Sequence, residues 1–86
     1  MIRAQRLSDT WTVVGVGADV DVAAAFVGAL STAGRSSYTQ RSYAMGLAVF
    51  LRWLDLEALT LRDVNRAVIV RYTRALTSGA QPLSPA

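Results

Sequence analysis

Cysteine, histidine and lysine are all absent from this 86-residue chain. Without cysteine, neither a disulfide framework nor a thiolate metal site can support the fold. Without histidine, the commonest general base at neutral pH and the commonest metal ligand are both missing. Six acidic residues remain, scattered along the chain, and no local cluster of them has the form of a cation site. No metal and no other cofactor is expected. Long apolar runs are missing too. The stretch Trp11 to Leu30 is broken by Asp19 and Asp21 and holds three glycines, short of the roughly 20 apolar residues of a membrane span. The start, Met1 to Thr10, has arginines with no apolar run directly behind them, unlike a signal peptide. The expectation is therefore a cytoplasmic chain with no membrane partner.

What is there is half hydrophobic and basic. The hydrophobic content is 52% and the net charge +3, with all nine basic residues arginine. GC-rich coding accounts for arginine replacing lysine, but not for where the arginines sit. A domain this short buries only about 60–65% of its unfolded surface, so its core must be thin.

The segment Ser36 to Leu76 carries most of the information. A first helix is expected to start near Asp19 or Asp21, either of which can cap it, with Val22, Ala25, Phe26, Ala29 and Leu30 as its inward stripe. Gly34 stops it. A second helix starts at Ser36 or Ser37, where Ser37 with Gln40 fits a capping box and Ser36 is the alternative cap. Its stripe is Tyr43, Leu47, Phe50 and Leu54, flanked by Leu51, within an arc of about 100°. Tyr38, Arg41, Met45, Ala48 and Arg52 lie opposite. After a link, Thr60 and Asp63 cap one short turn, and Asn65 caps a last helix from about Arg66 to Thr77. Its core stripe is Val68, Ile69, Tyr72, Ala75 and Leu76, with Arg71 at the border. Upstream, Met1 to Thr10 reads as loose, and Trp11 to Val16 as a short strand or an extended arm with no strand to pair with.

Two polar faces are candidate contact surfaces. Arg35, Ser36, Ser37, Thr39 and Arg41 gather at a helix start whose free amides favour an anion. Tyr38 falls on the same face, and Arg52 points the same way as Arg41. On the last helix Arg66, Thr73 and Arg74 face outward, and Arg71 and Arg74 have no acid in reach along the helix. An ordinary solvated helix face explains the same pattern, since arginine is a good helix former. Tyr43, Phe50, Trp53 and Tyr72 follow core spacing rather than that of a base-stacking platform. Catalysis has little support. No histidine or lysine is available to activate a serine, and Gly15-Val16-Gly17 is too short for a phosphate loop.

The order Ser36, Thr39, Tyr43, Leu47, Phe50, Trp53, Leu54, followed by Leu61, Val64, Tyr72 and Leu76 and preceded by Phe26 and Leu30, resembles the N-terminal core-binding domain of tyrosine recombinases, the phage-integrase family. The resemblance covers roughly Asp21 to Gly79. It implies an all-α fold, a small orthogonal SAM-like bundle of about four helices. The corresponding division is residues 1–18 as an N-terminal arm, 19–79 as the DNA-binding domain, and 80–86 as a disordered or truncated start of a further helix. It implies double-stranded DNA at an attachment or recombination site as partner, with this domain clamping one side of the duplex. The reactive residues of that family belong to a separate domain, so no catalytic residue is carried over. Leu83-Ser84-Pro85 matches the start of the family's next helix. The expectation is an excised domain or truncated gene, with apolar surface left open for self-association. A helical protein-interaction module is the alternative, and a helix-turn-helix regulator with Arg66 and Val70 near bases is a third reading.

Overall fold

Residues 1–77 are described by a computed structural model. In Ile2 to Gln5, apolar and polar residues alternate. In Trp11 to Val14, β-branched and aromatic residues predominate, and Ser8-Asp9 lies between the two runs. That pattern makes a hairpin. Strand β1 (Arg3–Leu7) pairs antiparallel with β2 (Thr10–Val14). Ser8 takes a positive φ of 54° at the first linking position, as tight two-residue hairpins require. The expectation of a loose start and an unpaired strand is thus overturned, because β1 is the partner of β2. At the hairpin's base, Gly15 has φ +152°, and a Cβ there would lie 3.0 Å from Ile2 Cα. Glycine lets the two chain segments close on each other.

Helix α1 (Ala18–Thr32) follows, with Gly17 at its N-cap and no side-chain cap. Asp19 does not cap. Its Oδ2 accepts the Leu61 N–H at 2.9 Å, across 42 residues of sequence. At the other end Gly34 (φ 78°) sits where the Arg35 N–H reaches Leu30 C=O and the Gly34 N–H reaches Ser31 C=O. This is the paired cap that a left-handed residue permits. The inward stripe is not the expected one. Val20, Ala23 and Val27 are buried, while Val22 is 57% exposed and Phe26 half-exposed. The helix is apolar on nearly all sides, so its own periodicity does not choose a face, and the hairpin packed against it does.

Helix α2 (Ser37–Leu56) is the spine. Leu51 and Leu54 are buried as its stripe requires, with Leu47 and Phe50 half-buried and Tyr43 half-exposed. Its other side is covered as well. Ala48, expected outward, is only 2% exposed, because both strands pack there. The hairpin's Ile2 and Val13 share one core with Val20, Val27, Leu51, Leu54 and Val68.

Thr60 and Asp63 form the expected capping box around a 3-10 turn at Leu61–Asp63. Asn65 Oδ1 accepts the Val68 N–H at 3.0 Å and starts α3 (Arg66–Thr77). Val68 is the buried residue of α3, Tyr72 and Ala75 are half-buried, and Ile69 and Leu76 are largely exposed. The rings of Phe50, Trp53 and Tyr72 close over this helix, with centroids 4.7 Å apart for Phe50–Tyr72 and 5.1 Å for Trp53–Tyr72. Burial pushes the Tyr72 phenol above its ordinary pKa, so it stays neutral. Arg71 pairs with Glu57 and lies 5.8 Å from the Trp53 ring centroid.

The fold of the described residues is therefore mostly helical, but neither strictly all-α nor four-helical. Among the described residues there are three α-helices, a 3-10 turn in place of a further helix, and a two-stranded sheet. Among the described residues no helix is long and apolar enough to cross a membrane. The expectations for residues 80–86, including Leu83-Ser84-Pro85, lie outside the described residues.

Candidate nucleic-acid interface

The start of α2 is organised by two side chains. Ser36 is the N-cap, and its Oγ accepts the Thr39 N–H at 3.1 Å. The same Oγ donates to Thr39 Oγ1. Gln40 is not part of a capping box. It is 4% exposed and turned inward, where its Oε1 accepts the Trp11 N–H and its Nε2 donates to the Arg35 carbonyl. One buried amide thus ties the hairpin to the turn before α2. Replacing Gln40 with leucine leaves that N–H and that C=O without partners, which costs roughly 1–3 kcal/mol. A urea melt is expected to show the midpoint falling with unchanged slope, and a loss under about 0.5 kcal/mol would contradict this role.

Around this corner the sequence-derived candidates fall into place. Arg35, Ser36, Ser37 and Tyr38 are exposed, and Thr39 is half-buried. Of the amides expected to be free for an anion, the Thr39 N–H is taken by the Ser36 hydroxyl. Arg41 is exposed, with its guanidinium carbon 5.8 Å from the Trp11 ring centroid, a cation–π distance. Arg52, at the far end of the same side of α2, is half-buried, and its Nε is buried without a hydrogen-bond partner.

The α3 candidates form a separate group. Arg66, Thr73 and Arg74 are all exposed, and the Thr73 hydroxyl donates to the Ile69 carbonyl at 2.9 Å. Among the described residues Arg71–Glu57 is the one ion pair, so Arg35, Arg41, Arg52, Arg66 and Arg74 keep their charge free of carboxylate. The residues missed by sequence reasoning are Arg3, Arg6 and the inward Gln40. The signal for the strand that carries the first two was the alternation of Ile2 to Gln5 ahead of Ser8-Asp9.

No curated protein and no solved structure matches the chain. The family model described as phage integrase, N-terminal SAM-like domain, matches residues 23–84, more than half of the 86. The match begins inside α1 and leaves the hairpin outside. On that match, and on the helical order that carries it, the chain belongs to the N-terminal SAM-like domain family of phage integrases.

Proposed function

We propose that this domain binds one side of duplex DNA at an attachment or recombination site and takes no part in the chemistry. The N-terminal SAM-like domain is a non-catalytic part of integrases, and the family implies DNA interaction in general. The observation that carries the reading is the set of carboxylate-free arginines Arg35, Arg41, Arg52, Arg66 and Arg74. Arginine forks with no internal partner are matched to phosphate oxygens, and phosphate contacts position a protein on DNA. Thr39, Thr73, Ser37 and Tyr38 add neutral hydroxyls beside them. A separate catalytic domain would have to supply every reacting group.

The test is a fluorescence-anisotropy titration of labelled duplex DNA. Replacing Arg41 and Arg74 together with alanine is expected to weaken binding at least about tenfold at low salt, by loss of two phosphate contacts. The thermal melt should stay close to that of the unmodified domain, since both side chains are exposed. Unchanged affinity would remove both residues from the interface.

A second reading, a helical protein-interaction module, rests on a different observation. Phe26, Tyr43, Ile69 and Leu76 are apolar or aromatic side chains left nearly half exposed on the helices. Concentration-dependent association with no response to DNA would favour it.

A further inference from the structure

Between β1 and α2 lies a shallow groove of ≈ 200 Å³, floored by Ala4, Met45 and Ala48 and flanked by Arg3 and Arg52. On α2, residues 41, 45, 48 and 52 recur at four- and three-residue spacing and so share one line. That line runs about 16 Å from Arg41 to Arg52. At the Arg41 end stands Trp11, with the guanidinium over its ring. Arg6 is the register partner of Trp11 across the hairpin, so the two side chains leave the sheet on the same face. Arg3 and Arg52 line the groove itself, and beyond its Arg41 end Arg6 flanks Trp11. Arg3 and Arg6 leave the strand on opposite faces, with the Arg3 guanidinium donating to Gln5 Oε1 and the Arg6 Nε to the Ser8 carbonyl. The Arg52 Nε is buried and has no partner. Two acids are nearby: Asp9 in the hairpin turn, and Asp55, which lines an adjoining cleft with Arg52.

We propose that this groove takes a stretch of the sugar–phosphate backbone of duplex DNA, making the hairpin a second element of the interface. The inference rests on the DNA-binding reading above. It adds residues that the family match, which begins at residue 23, does not reach. The chemistry is specific to that ligand class. Cations at both ends meet two non-adjacent phosphates, and the small, apolar floor lets the intervening sugar approach closely.

The test compares three proteins on one mixed-sequence DNA duplex, across about 50 to about 200 mM salt. They are the unmodified chain, Arg3→Ala/Arg6→Ala, and the charge control Arg62→Ala in the 3-10 turn. All three replaced residues are exposed, so circular dichroism should report the same fold for each. The hairpin variant is expected to bind about tenfold more weakly or worse, with a salt slope shallower by about two, while the Arg62 variant changes the slope by well under one. Binding by the unmodified chain, with the hairpin variant matching it in affinity and slope, overturns the hairpin role alone. An Arg62 effect equal to that of one hairpin arginine overturns it as well, by assigning the loss to net charge. No binding by the unmodified chain even at low salt removes the proposed function, and this inference with it.

Discussion

Leu51→Ala is expected to remove about 2–5 kcal/mol of stability, the range for truncating a buried leucine. Leu51 is 2% exposed and is among the largest fully buried side chains. It sits in the part of the core shared by Ile2 at the base of the hairpin, Val20 of α1 and Leu54 of α2. It also lines an existing cleft of ≈ 190 Å³ beside Ile2, Val20 and Leu59. The space it leaves therefore joins an opening that the neighbours already fail to fill, and collapse around it is hindered. A chain of this length has a total stability of about 4–13 kcal/mol, so the loss takes a large share of it. At about 4–8 °C per kcal/mol for a small domain, a thermal melt should show the midpoint falling by roughly 8–40 °C. Val22→Ala is the informative comparison. Periodicity puts Val22 in the core, whereas it is 57% exposed in the fold, so its replacement should stay within about 0.5 kcal/mol. Equal losses at the two positions would mean that α1 packs through the other face.

The second large effect is the response of DNA binding to salt. Each arginine on a phosphate releases counterions, and the logarithm of the affinity falls with the logarithm of salt at about 0.9 per contact. The five arginines first proposed for the interface give a slope of about −4.5, and the fourfold rise from about 50 to about 200 mM salt then lowers affinity roughly 500-fold. With the two hairpin arginines engaged, the slope steepens to about −6 and the loss reaches several thousandfold. A flat response, with a slope shallower than about −2, would mean that most of these arginines face solvent in the complex. Sequence discrimination is a separate quantity, since phosphate contacts position the protein without reading bases. The same titration on attachment-site and scrambled duplexes would measure it.

The candidate interface was only partly legible beforehand. Arg41 and Arg52 read as sharing a side of α2, and they do share one, but Arg52 lines a groove against β1 and Arg41 lies by the Trp11 ring rather than on an open face. The cause is the hairpin. Nothing in the spacing of α2 announces that two strands will lie across Ala48, because an alanine suits solvent and close packing equally. Gln40 looked like half of a local capping box and instead reaches a strand 29 residues away. Asp19 looked like a helix cap and instead holds Leu61, 42 residues on.

What the chain determines by itself is what hydrogen bonds within about four residues can enforce. Ser36 at the start of α2, Gly34 after α1, the Thr60–Asp63 box and Asn65 at the start of α3 all act at short range. Each cap satisfies backbone groups that its own helix leaves open. Composition likewise settles that the positive charge is arginine and that no histidine or cysteine is present. Tertiary structure alone decides which face of each helix is inside. Burial is a contest between surfaces brought together from distant parts of the chain, and α1, apolar on almost every side, has no preference of its own. The hairpin resolves that contest. It selects Val20, Ala23 and Val27, buries the second side of α2, and seats Trp11 under Arg41.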